Sequence, residues 1–169
     1  EVRNPVYREA ATSFVGGDGS EESPYEISSA EELQYLSDLL SDEENRSSEY
    51  RNQHYILTSD ISLNDTSDYA GWSEAGPEYD WRPIGVAAAF GGVFDGNGHT
   101  ISGLYINADM EDDNTADARK NGGLFAQIFG GTVKNLNLTE VYIEVSGDAL
   151  DTGAIAGSAS KAEISDCTV

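Results

Sequence analysis

The chain has 169 residues, enough for one domain with a continuous core, and its 38% hydrophobic content marks it as globular rather than disordered. Nine Lys+Arg against 31 Asp+Glu leave a formal net charge of −22. Such a surface repels nucleic-acid phosphates and anionic lipid headgroups, which excludes nucleic-acid and simple membrane-surface binding.

In chain order, residues 1–13 read as a polar N-terminal arm. Residues 14–63 read as a capping region with the first strands. Ser29 with Glu32 three residues on is a capping-box signature. Leu33, Leu36 and Leu40 fall on one face of a helix over about 30–41. Tyr55-Ile56-Leu57-Thr58 and Ile61-Ser62-Leu63 are short β-rich segments. Residues 64–80 form an acidic connection, and from 81 to 169 strands are short and turns dense. An acidic loop, 108–120, interrupts this last region.

The strongest signal is internal repetition. Gly91-Gly92-Val93-Phe94 matches Gly122-Gly123-Leu124-Phe125, with a weaker copy at 152–157. Ile101, Leu104 and Ile106 match Val133, Leu136 and Leu138, and again Ile164, Cys167 and Val169, at offsets of 32 and 31. A period this long lets equivalent strands lie parallel. Each copy alone cannot bury its apolar face, so like stacks on like. The expected fold is mainly β: a right-handed parallel β-helix, or solenoid, behind an N-terminal cap with one α-helix. The nine residues of the triple match are its expected core, with Cys167 a small buried apolar residue rather than a nucleophile. Glycines, Asn97-Gly98 among them, are expected at corners needing positive φ.

The segment 90–104 (FGGVFDGNGHTISGL), followed by Asn121-Gly-Gly-Leu-Phe-Ala and Gly130-Gly-Thr-Val-Lys-Asn-Leu, resembles proteins carrying the GLUG motif. These are microbial surface proteins and adhesins with right-handed β-helical stalks. The helix with Leu33 and the Trp81-Arg-Pro-Ile-Gly segment resemble the lead-in to such a stalk. The resemblance implies a fold and a surface location, and it supplies no catalytic residues.

Independent chemistry is sparse. His54 and His99 form no recognisable triad, and no zinc spacing or phosphate loop occurs. Paired carboxylates could support glycoside hydrolysis, yet with 31 acids close pairs arise by chance. Asp109, Glu111, Asp112, Asp113 and Asp117 could offer oxygen ligands to Ca²⁺, without EF-hand spacing; a solvated acidic loop is the plainer reading. No other cofactor is expected. Trp72, Tyr69 and Tyr79 are candidates for contact with a protein or glycan partner, Trp72 foremost. Asn45, Asn64 and Asn137 head N-glycosylation sequons.

A single cysteine, Cys167, excludes an internal disulfide. No stretch approaches the roughly 20 apolar residues of a membrane span, and no apolar leader core opens the chain. Glu1 is expected to follow a removed leader or to begin a fragment. Strong acidity with only three Lys matches proteins of salt-loving microbes, where repulsion is screened. The expectation is therefore a non-enzymatic, secreted or cell-surface stalk or filament element. Its terminal coil would meet further coils of a parent chain or another subunit. The alternative is the silent N-terminal portion of a polysaccharide-binding or polysaccharide-degrading β-helix enzyme.

Overall fold

The computed structural model describes residues 2–42, 49–109, 121–147 and 151–169. It is mainly β with one α-helix. In order come β1 (Tyr25–Ile27), α1 (Ala30–Leu39), β2 (His54–Leu57), β3 (Ile61–Ser62), β4 (Val93–Asp95), β5 (Thr100–Ser102), β6 (Tyr105–Asp109) and β7 (Asn121–Gly122). They are followed by β8 (Phe125–Phe129), β9 (Thr132–Lys134), β10 (Asn137–Thr139), β11 (Tyr142–Ser146), β12 (Asp151–Thr152), β13 (Ala156–Ser160) and β14 (Glu163–Ser165).

These strands make several small sheets, and every strand pair in them is parallel. The largest has the order β1-β2-β4-β9-β14. In it Tyr25 lies opposite Tyr55, Tyr55 opposite Phe94, Phe94 opposite Val133, and Val133 opposite Ile164. The chain thus returns to this sheet after 30, 39, 39 and 31 residues. A second sheet aligns Ile61, Ile101 and Leu138. A third pairs β6 with β11, a fourth β7 with β12, and a fifth β8 with β13.

This register corrects the repeat read from the letters. Ile101 faces Leu138, not Val133. Ile106 faces Ile143, not Leu138, and the Tyr142 amide donates to the Leu104 carbonyl, which sets Val141 rather than Leu136 beside Leu104. Phe94 pairs with Val133, whereas Phe125 pairs with Ala156. The cause is chain length. One return takes 39 residues, so a 31-residue self-match lays different sides of the path over each other. The offset of 31 does hold for the last return, where Val133 faces Ile164 and Asn137 bridges to Thr168.

Ile101, Leu104, Ile106, Val133, Leu136 and Leu138 are all buried in one apolar cluster, and half-buried Cys167 packs against it. Ile164 and Val169, expected in the core, are instead 43% and 73% exposed. Among the described residues no further layer lies over them. Within the cluster a run of rings, Tyr25, Tyr55, Phe90, Phe125 and Phe94, packs at centroid distances of 5.1–5.9 Å. Burying each such side chain stabilises the fold by about 1.5–3 kcal/mol.

The helix begins as its capping box dictates. Ser29 Oγ accepts from the Glu32 amide at 3.3 Å, and Glu32 Oε1 accepts from both the Ser28 and Ser29 hydroxyls at 2.7 and 2.9 Å. Leu33, Leu36 and Leu40 enter the core, and Ser37 Oγ donates to the Arg82 carbonyl.

The paired glycines serve a different purpose from the one expected. Asn97 and Gly98 do take positive φ, 53° and 79°. Gly92 and Gly123 do not. A Cβ on Gly92 would lie 2.0 Å from the Gln53 carbonyl oxygen, and one on Gly123 2.4 Å from that of Gly153. They are glycine because the neighbouring strand's backbone comes too close for any side chain.

Candidate functional site

Among the described residues a groove of about 550 Å³ lies over the outer face of β6 and β11. Alternation along these strands sends every second side chain outward. Register then pairs Tyr105 with Tyr142, Asn107 with Glu144, and Asp109 with Ser146. The two tyrosine rings stack at 5.3 Å with planes 16° apart. The Asn107 amide donates to Tyr105 Oη at 3.3 Å, and Tyr142 Oη donates to Glu144 Oε2 at 2.6 Å. That bond, more than any burial, pushes the Tyr142 hydroxyl up to about 12.

One wall of the groove is the connection from Trp72 to Gly76. Trp72 meets Tyr105 edge to face at 5.8 Å. Gly76 sits so close that a Cβ would fall 2.5 Å from Tyr105 Oη. The N-terminal arm forms the other wall, with Arg3 Cζ 5.3 Å from the Tyr105 ring centroid. The arm is fastened at Asp80, whose Oδ2 accepts from the Val6 amide at 2.8 Å and pairs with Arg3 Nη2 at 3.0 Å. Burial raises the Asp80 carboxyl above its ordinary value, with the Val6 and Arg3 contacts opposing it. Farther along, Arg8 lies over Tyr79 and Arg82 over Tyr7, at 4.4 and 5.0 Å.

Several residues singled out in the sequence prove to be occupied. Trp72, the foremost partner candidate, is 3% exposed, because Tyr69 and Tyr105 flank its indole. Tyr69 donates its hydroxyl to the Val141 carbonyl, and the Tyr79 ring is capped by Arg8. Trp72 offers no open face, although its edge lines the groove, while Tyr69 and Tyr79 are half-buried. Asn64 is 5% exposed. Its Nδ2 donates to the Tyr79 and Gly103 carbonyls at 2.8 and 2.9 Å, and its Oδ1 accepts from the Tyr79 amide at 2.9 Å. A glycan cannot be carried on an amide so engaged, so this sequon is corrected to a structural residue. Asn137 is half-buried, donating to the Gly98 carbonyl and accepting from Thr168. Asn45 lies outside the described residues.

Of the acidic loop, Asp109 stands at the end of β6 on the groove rim, while Glu111, Asp112, Asp113 and Asp117 lie outside the described residues. Among the described residues no group of three or more His, Cys, Asp or Glu is placed to hold a metal ion. His99 Nδ1 lies 3.2 Å from Asp60 Oδ1. The Thr100 amide, and after it His99, hold Asp60 below the usual carboxylate value.

Two known proteins are similar to the chain. It is 32% identical over 163 residues to a protein of Evansella cellulosilytica described as a Gly-rich membrane protein. It is 33% identical over 154 residues to Halomucin of Haloquadratum walsbyi. These alignments take in 93% and 88% of the chain but only 16% and 1% of the relatives' lengths. No protein-family model and no solved structure matches the chain. Among the described residues no helix is long and apolar enough to cross a membrane, which says nothing of strands.

Asn107, Tyr142, Glu144 and Ser146 were missed in the sequence. Their signal was an identically spaced polar triplet, 105/107/109 and 142/144/146, at an offset of 37. A search tuned to 31 passes over it.

Proposed function

We propose that this chain is a stretch of right-handed parallel β-helix of the GLUG type, acting as a non-catalytic stalk or adhesive element of a microbial cell-surface protein. The observation that carries the reading is the register of the five-stranded sheet, in which strands from successive returns line up in sequence order. Parallel strands joined by crossovers in one sheet are right-handed in about 98% of cases. The acidic surface and the similarity to a membrane protein and a halomucin support a surface role at high salt.

Paired cysteines test the architecture in a Cys167→Ser background. Val93→Cys with Thr132→Cys, and Thr132→Cys with Glu163→Cys, should each cross-link on oxidation. Ile101→Cys with Val133→Cys should not. The reverse outcome overturns the stacked arrangement. For the role, beads coated with the chain should adhere to microbial cells or their extracellular matrix, while soluble polysaccharides gain no reducing ends. Release of reducing ends that carboxylate-to-amide substitutions abolish would instead establish an enzyme.

A further inference from the structure

We infer that the groove over β6 and β11 is a binding site for an uncharged glycan, built of hexose or N-acetylhexosamine units. This deepens the adhesive reading above and rests on it. At about 550 Å³ the groove has the size of a small-molecule site, roughly 300–1,000 Å³. Its chemistry is wrong for an apolar ligand. The two large rings nearest its floor, Trp72 and Tyr105, are 3% exposed each, so what faces the opening is mostly polar. Across the paired strands stand the Asn107 amide opposite the Glu144 carboxylate, and Asp109 opposite the Ser146 hydroxyl. Ser73 and Glu74 add a hydroxyl and a carboxylate from the opposite wall.

These polar groups stand at the spacing of adjacent parallel strands, about 4.8 Å. Though Asn107 Nδ2 donates to Tyr105 Oη and Ser146 Oγ to the Ala108 carbonyl, the Asn107 amide keeps its second N–H and its oxygen and the Ser146 hydroxyl its lone pairs. Vicinal hydroxyls on a sugar ring, each both donor and acceptor, satisfy such a set. Planar amide and carboxylate groups engage two neighbouring hydroxyls at once. The sign of the charge selects further. Glu74, Asp109 and Glu144 line the groove, and the one cation among its described lining residues, Arg3, is engaged by Asp80 and the Tyr105 ring. A uronate or sulfated glycan would meet like charge there, a repulsion largest at low salt.

Titration of the whole chain with chitohexaose and with mannohexaose, followed by tryptophan fluorescence and by the Asn107 side-chain amide resonance, tests the site. Trp72 borders the groove, while Trp81 is buried with its indole N–H on the Leu124 carbonyl, so a change should come from Trp72. Saturable binding of at least one probe at millimolar concentration is expected. Glu144→Ala and Asn107→Ala should each weaken it about tenfold or more, as loss of a hydrogen bond with a charged or buried partner does. Glu163→Ala, on another sheet, should leave it unchanged. Polygalacturonate should not bind. No response to either neutral probe, equal binding of polygalacturonate, or binding indifferent to both groove variants while circular dichroism stays native would each overturn the site. The cysteine cross-links above do not depend on any of these results, so the architecture and the ligand fail separately.

Discussion

Asn64 illustrates how a residue's role is decided by what surrounds it. In the letters it heads an Asn-x-Thr triplet, and in the fold its amide closes three hydrogen bonds between the connection and the Gly103 corner. Asn64→Ala removes these and leaves buried backbone groups unpaired, at a cost of about 2–4 kcal/mol. Urea unfolding should show the loss as a lower midpoint with an unchanged slope. Tyr142 gives a second expectation. Its hydroxyl is raised from 10.0 to about 12 chiefly by the bond to Glu144. A group raised in the folded state contributes stability that is complete below its unfolded value and is lost as pH climbs through the folded one. Phenolate absorbance should therefore show one tyrosine titrating near 12, and Glu144→Gln should bring it back toward 10. Asn64's role was not legible in the sequence, because its partners lie 15 and 39 residues along the chain. The Tyr142–Glu144 bond joins residues only two apart, and it went unread because nothing in the letters says that both side chains share one face of a strand. The Ser29–Glu32 cap was legible, since it is local and its two halves are three residues apart.

At the scale of elements, the helix and the β-rich character could be read directly, while the pairing could not. Periodicity reports which residues turn inward, but it does not say which side of the path they line. Val93-Phe94 and Leu124-Phe125 look alike because each precedes or opens a strand after a tight glycine approach. Yet β4 and β8 belong to different sheets. The glycines carry the more reliable information about contact. Gly123→Ala would drive a methyl into the Gly153 carbonyl, backbone that cannot swing aside. It should cost about 1–3 kcal/mol or more. Gly130→Ala meets nothing within 4 Å but must hold φ at +75°, so its cost is set by conformation alone, about 1–2 kcal/mol. Thermal melts of the two variants should differ, and with β8–β13 pairing disturbed only in the first, so should the amide exchange of Ala156 and Ser158.

For the whole molecule, charge dominates. Nine Lys+Arg cannot neutralise 31 Asp+Glu, so the folded chain stores self-repulsion that salt relieves. The screening length falls from about 10 Å at 0.1 M salt to about 3 Å at 1 M. Raising NaCl across this range should stabilise the fold, and a gain of about 1–2 kcal/mol would lift Tm by roughly 2–8 °C. A melting temperature that falls with salt would contradict an acidic surface under strain. Composition made this readable at once, since long-range repulsion needs only the count of charges and the size of the domain.

Brine has a second consequence for the arm between Val2 and Tyr7. Ions that quiet repulsion also loosen ordinary charge pairs, and a strand tied down only by surface pairs would peel away. Here three of the chain's six arginines sit over tyrosine rings, Arg3 on Tyr105, Arg8 on Tyr79 and Arg82 on Tyr7. Part of that adhesion is dispersion and exclusion of water, which concentrated electrolyte leaves intact or strengthens. Lysine, a compact hydrated charge, would give up its grip in the same medium, and it is arginine that fastens the arm.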